Sequence, residues 1–343
     1  MKVTYQAYNL KFRHPFTISR GTKTHQPTLV VQIEHLGRKG FGEAPAISYY
    51  NIPVEKMIED LERKKVFVEK FAFTEPEGWW HYLQHLFPAN NFLVCALDIA
   101  GWDLFGKMKG RPLKEFWKNE TPLHPVCDYT IGIDTIEKMV EKLKEKPWPI
   151  YKIKLGTEHD IEIIEALRKH TDAVFRIDAN SAWKAEDALR KIGAFAQLGV
   201  EFIEQPLAKD DWEGMKWLYE RSPLPLYADE ACVLEGDVAK CHQHFHGINI
   251  KLTKCSGITP ALRMITNARS LGMKVMIGAM NESTVGSAAI AHLMPLIDQV
   301  DADGPLLLEE DLATGLDYRN DGQVCTSPAP GLGIEYTGLY SKA

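Results

Sequence analysis

The feature that most constrains this chain is a run of short apolar segments that each end on a charge. Pro149-Ile150-Tyr151 leads to Lys152 and Lys154, Ala173–Ile177 to Asp178, Val200–Ile203 to Glu204, Leu224–Ala228 to Asp229 and Gly247–Ile250 to Lys251. The three carboxylates fall 26 and 25 residues apart and Lys251 follows 22 later, with amphipathic stretches at 160–170, 184–198, 210–221 and 259–271. Strand–helix alternation at this spacing makes βα units on a parallel sheet. Counted from Val126, about eight such units fit before residue ~310, the number that closes a barrel. A doubly wound sheet is the competing topology, but it calls for a glycine-rich phosphate turn after its first strand, and none is present. Gly331-Leu332-Gly333 lacks a third glycine and a following helix, and reads as a turn.

In a parallel barrel the C-terminal strand ends share one mouth. Charges placed there converge, which avoids the cost of several kcal/mol for each unpaired charge in a dry core. Asp178, Glu204 and Asp229 then offer three hard oxygen ligands from adjacent strands, a set suited to Mg2+. Singly, each would serve equally well as a helix cap. Lys152 and Lys154 are two apart on one strand and share a face. Lys251 lies on the far side of the carboxylates in strand order, so a base stands on either side of whatever the carboxylates hold. A lysine acts as a base near neutral pH when its pKa falls from ~10.4 to about 7–8, and Lys152 is the cationic neighbour expected to do this to Lys154.

Before this region the pattern differs. Residues 28–34 alternate as a strand, and helical periodicity follows at 54–71, around 79–86 and over 90–109, the last ending at Gly110 with Pro112 beyond. The expected organisation is an α+β capping domain at 1–122, a barrel at 123–311, and a segment at 312–343 that returns to the cap. The 343 residues carry a net charge of −6 without a basic stripe, which speaks against a nucleic-acid partner. No apolar stretch nears the ~20 residues that span a bilayer, and Met1–Gln6 lacks the apolar core of a signal peptide. The six cysteines form no C-x-x-C pair. A soluble cytoplasmic protein without a membrane partner is expected, with homo-oligomerisation left open. Cys241 followed by His242, His244 and His246 has the composition of a zinc site, but it precedes its strand and so reads as a polar turn at the end away from the mouth.

The ordered set Lys-x-Lys, Asp, Glu, Asp, Lys resembles the enolase superfamily in its muconate lactonizing subgroup. Asp178-Ala179-Asn180, Glu204-Gln205-Pro206, Ala228-Asp229-Glu230, Gly40-Phe41-Gly42-Glu43 and Ala96-Leu97-Asp98 carry the likeness across nearly the whole chain. The resemblance implies a (β/α)7β modified TIM barrel under an α+β cap, with Mg2+ on Asp178, Glu204 and Asp229. It also implies proton abstraction beside a carboxylate to give an enediolate, with Lys154 and Lys251 as the two bases. Asn180, Glu230 and Glu282, the last in Met280-Asn281-Glu282-Ser283, are implied supports around the site. The family often has Ser after Asp-Glu, whereas Ala231 and Cys232 stand here, which leaves one supporting hydrogen bond without its donor.

Asp301 and Asp303 are two apart on the expected eighth strand and would share a face, and paired carboxylates there call for a cation. In dipeptide epimerases an Asp-x-Asp at this place holds the substrate α-ammonium. Arg20, in a capping loop, resembles the arginine that goes with a glutamate side chain, with Lys152 as a further group facing the substrate. The expectation is an Mg2+-dependent dipeptide epimerase acting on L-Ala-D/L-Glu by two-base 1,1-proton transfer. The alternatives are an o-succinylbenzoate synthase or cycloisomerase, which have no ammonium to bind, and a barrel retained only for binding.

Overall fold

Three long strands at the start of the chain, β1 (Lys2–Ile18), β2 (Gly21–His35) and β3 (Arg38–Pro45), pair antiparallel in that order. The computed structural model describes residues 1–117 and 123–342. The expected cap–barrel boundary at 122/123 adjoins 118–122, outside the described residues. Leu29, Val31 and Ile33 of β2 face the core of the cap, while Val30 joins the core of the barrel. The central strand is thus buried on both faces rather than one. Helices α1 (Val54–Lys70), α2 (Pro76–Leu86) and α3 (Asn91–Lys109) cover the sheet. α3 is apolar all round because it lies between sheet and barrel, with Leu93 and Leu97 in one core and Cys95 and Ile99 in the other. It stops at Gly110, in the left-handed conformation at φ 67°.

The βα units follow: β4 (Tyr129–Ile131), α4 (Ile136–Glu145), β5 (Ile150–Lys154), α5 (Asp160–Arg168), β6 (Val174–Asp178), α6 (Ala185–Phe195), β7 (Val200–Glu204) and α7 (Trp212–Tyr219). Then come β8 (Leu226–Ala228), α8 (Asp237–Cys241), β9 (Gly247–Ile250), α9 (Leu252–Cys255), α10 (Ile258–Ser270), β10 (Lys274–Gly278), α11 (Thr284–Leu293) and β11 (Gln299–Asp301). All eight strands are neighbours in sequence order, every pair parallel. With seven helical connections this is the (β/α)7β barrel. Its seam, between β11 and β4, has no regular ladder. Among the described residues a bridge from Cys127 to Val300, a bond from Ala302 N to Cys127 Sγ at 3.3 Å and one from Thr130 N to Asp303 Oδ2 at 2.6 Å join its edges.

After the short α12 (Gly304–Leu307) the chain makes β12 (Glu310–Thr314), β13 (Leu316–Tyr318), β14 (Val324–Thr326) and β15 (Glu335–Ser341), paired β12–β15 and β13–β14. This tail touches the cap. Glu309 N donates to Lys11 O, Leu332 N donates to Asp103 Oδ1, and Tyr336 stacks on Phe41 at 4.8 Å. Among the described residues no helix is long and apolar enough to cross a membrane.

Candidate active site

The barrel register brings the charged strand ends together. Asp178 ends β6, Glu204 ends β7 and Asp229 follows β8; all three are buried, and each offers an oxygen within 4.8 Å of the others. Among the described residues no other group of His, Cys, Asp or Glu side chains is so placed. The histidines at 242–246 turn to local work instead, His246 Nδ1 accepting from Leu226 N. Burial, with Asp178 alongside, lifts the Glu204 carboxyl to about 7. Three buried carboxylates with oxygens this close form a hard oxygen donor set, which fits a divalent metal of the Mg2+ type.

Non-glycine residues in left-handed conformation bend the backbone away just past these strand ends: Asn180 (φ 45°), Ser181 (φ 67°) and Gln205 (φ 36°). Their side-chain and backbone bonds hold that strain. Asp178 Oδ1 accepts from Asn180 N at 2.9 Å, and Gln205 Oε1 accepts from Asp229 N and Ala231 N at 3.0 and 3.1 Å. Asn249 Nδ2 donates to Glu204 Oε1 at 2.7 Å. Lys254, fully buried, donates to Asp229 Oδ1 at 2.7 Å and to the carbonyls of Cys232 and Asn249. These contacts hold Asp229 despite the missing serine. Gln205, Asn249 and Lys254 were not singled out from the sequence. The Glu-Gln-Pro motif was the signal for the first; Lys254 stands one helical turn after Lys251, a spacing that passes for surface charge.

The lysines flank the triad. Lys154 Nζ donates to Asp178 Oδ2 at 2.6 Å and Lys251 Nζ to Asp229 Oδ2 at 2.7 Å, one on each side of the three carboxylate strands. Burial opposes the Lys251 charge, but Asp229 outweighs it and leaves the ammonium pKa raised. Lys152 does not stand as a bare cation beside Lys154. Its ammonium lies 2.8 Å from both Glu204 and Asp301 and 3.5 Å from Asp178, and these carboxylates outweigh burial and raise its pKa well above the ordinary value. Its charge is answered by those carboxylates.

Asp301 and Asp303 face the same cavity as Lys154 and Lys251, but not by strand alternation. β11 ends at Asp301, and Asp303 reaches the cavity from the turn that opens α12. Burial, then Asp301 and Asp128, push the Asp303 carboxyl well above the usual range. Glu282 Oε2 turns back to accept from Met280 N at 2.6 Å, and burial lifts the carboxyl to about 8. Arg20 lines the cavity, but its Nη2 donates to Glu230 Oε1 at 2.5 Å and to Asn180 O at 3.1 Å. Lys23, at the start of β2, also lines the cavity and has neither an ion pair nor a hydrogen bond from its ammonium among the described residues. Burial, then Lys251, lower its pKa.

The cap is fixed over this mouth by two buried carboxylates at helix N-termini. Glu43 accepts from Ser283 N, Ser283 Oγ and Gly286 N at the start of α11. Asp98 accepts from Thr259 N and Oγ1 at the start of α10.

Comparison with known proteins agrees with this architecture. Residues 1–116 match the mandelate racemase / muconate lactonizing enzyme N-terminal domain, and residues 134–338 the enolase C-terminal domain-like family. An L-Ala-D/L-amino acid epimerase from Flavobacterium johnsoniae is 50% identical over 97% of this chain and 99% of its own. A substrate-liganded L-Ala-D/L-Glu epimerase from Bacillus subtilis superposes with a TM-score of 0.92 at 28% identity, over 99% of this chain and all of that one. A dipeptide epimerase from Enterococcus faecalis, complexed with Mg and L-Leu-L-Tyr, gives 0.90 at 30% identity, over 98% and 99% of the two chains. The chain belongs to the mandelate racemase / muconate lactonizing enzyme family of the enolase superfamily.

Proposed function

We propose that this protein is a dipeptide epimerase that inverts the α-carbon of the second residue of L-Ala-D/L-Glu and related dipeptides. One observation carries the choice within the family. At the cavity wall Lys152 answers Asp301 and Arg176 answers the neighbouring Asp128, whereas buried Asp303 has no cation among the described residues, and a substrate ammonium supplies the charge it calls for. Asp178, Glu204 and Asp229 would hold Mg2+, as the donor set supports. When bound, Mg2+ withdraws charge from the substrate carboxylate and so acidifies the adjacent C–H.

Lys154 and Lys251 then stand on opposite faces of that carbon. The lysine that is neutral takes the α-proton, and the opposite ammonium supplies a proton to the other face. After one turnover the two have exchanged protonation states, and solvent resets them. Lys152 stays an ammonium among Glu204, Asp301 and Asp178 and holds these acids in place. The unpartnered Lys23 supplies the positive charge for an acidic second side chain, the task the sequence had assigned to Arg20.

Mass spectrometry in D2O tests the reading. L-Ala-L-Glu is expected to take up one deuterium at the glutamate α-carbon as it epimerises, and Lys154→Ala or Lys251→Ala to abolish epimerisation. Turnover at the wild-type rate in either variant would overturn the two-base assignment, and Mg2+-dependent elimination or cycloisomerisation with no deuterated dipeptide would favour another activity of the family.

A further inference from the structure

Arg20 sits in the turn between β1 and β2, where an unengaged arginine would lose its side chain to solvent. Instead its guanidinium is held from three directions. Glu230 accepts at 2.5 Å, the carbonyl of Asn180 accepts at 3.1 Å, and the ring of Tyr49, from a second loop of the cap, lies 4.2 Å below Cζ. Glu230 follows the triad member Asp229 directly, and Asn180 lies two residues beyond Asp178. The Glu230 side chain is only 3% exposed, so the pair is shielded from solvent screening on the barrel side. The contact therefore joins two capping loops to the two strand ends that present Asp178 and Asp229.

We propose that Arg20 is a positioning residue, a latch that closes the capping turn over the cavity by binding Glu230 and the Asn180 carbonyl, and not a receptor for the substrate side chain. The kinetic part of this inference rests on the epimerase reading; the structural part does not. Both bonds come from Nη2, and the guanidinium's charge is already answered by a buried carboxylate; withdrawing it would leave Glu230 buried without its cation and with one of its two oxygens already lacking a hydrogen bond. Opening the latch exposes the site to water whatever the substrate.

The two roles separate experimentally. Hydrogen exchange over residues 16–24 is expected to quicken about tenfold or more in Arg20→Ala, with Arg20→Lys intermediate, and in Glu230→Gln to a similar degree. The Arg20→Ala/Glu230→Gln double variant should exchange no faster than either single one. In turnover, Arg20→Ala should lower kcat/KM for L-Ala-L-Glu and L-Ala-L-Leu by the same factor, about ten- to a hundredfold. Loss confined to the acidic dipeptide, or unchanged exchange in the turn, would overturn the latch. Quickened exchange in a protein that epimerises no dipeptide would leave the latch standing and remove the epimerase reading alone.

Discussion

At the scale of single residues, the division between Lys23 and Arg20 shows what position along the chain conveys and what it does not. Both are cations at one hairpin end, Arg20 in the turn and Lys23 three residues on at the start of β2, and nothing in the sequence distinguishes the one with a partner from the one without. The partner, Glu230, is some two hundred residues away and becomes a neighbour only when the cap docks. The triad and the lysines were legible because all of them end strands in a common register, and barrel geometry converts that order into proximity. Asn249 and Lys254 were not legible, because their work is done through cross-strand bonds to groups already assigned. Lys23→Met is expected to raise KM for L-Ala-L-Glu about ten- to a hundredfold while changing that for L-Ala-L-Leu by less than about threefold, as measured by steady-state kinetics. Asp303→Asn keeps an oxygen to accept from Thr130 N and removes the charge. Its KM for free dipeptides should rise about tenfold or more with thermal stability close to wild type, which calorimetry checks against kinetics.

At the scale of elements, the glycines of Gly40-Phe41-Gly42-Glu43 acquire a mechanical meaning. β3 lies directly on α3, so a Cβ built on Gly42 would fall 2.0 Å from Ala96 O and one on Gly40 2.1 Å from Ala100 O. These obstacles are helix backbone, which cannot swing aside as a side chain would. Gly42→Ala is therefore expected to destabilise the protein by about 3 kcal/mol or more, read as a lower midpoint in urea. Gly78→Ala, within α2 at a site with nothing within 4 Å, serves as the control that should leave the midpoint in place or raise it. The close approach matters beyond packing, since it is what carries Glu43 and Asp98 to the ends of α11 and α10. The helices and their stops were readable from periodicity and from Gly110. That β2 is buried on both faces was not, because its second face meets a barrel that comes later in the chain.

At the scale of the whole molecule, His292 joins the three parts. Its Nδ1 accepts from Lys114 N beside the cap, and its Nε2 donates to Leu332 O in the tail. The bond from Lys114 N needs the neutral ring, and burial lowers its pKa from 6.5 to about 4. The unfolded chain takes up a proton near pH 6.5 and the folded one only near 4, so stability from this residue is full above the upper value and declines as pH falls towards the lower. The loss amounts to about 3 kcal/mol across that window. Denaturant unfolding of wild type and His292→Gln over pH 4–7 should show the wild-type curve falling the more steeply; parallel curves would assign the acid sensitivity elsewhere.

The seam of the barrel bears on how such an enzyme changes substrates over generations. Asp303 is both a clasp between the last strand and the first and a wall of the cavity, so many substitutions that alter what it recognises also loosen the closure. Lys23, at the start of β2 and without an ion pair among the described residues, carries no such double duty, and changes there leave the strands closed. Descendants of this chain should therefore keep the end of the substrate that meets Asp303 and diversify at the end that meets the cap.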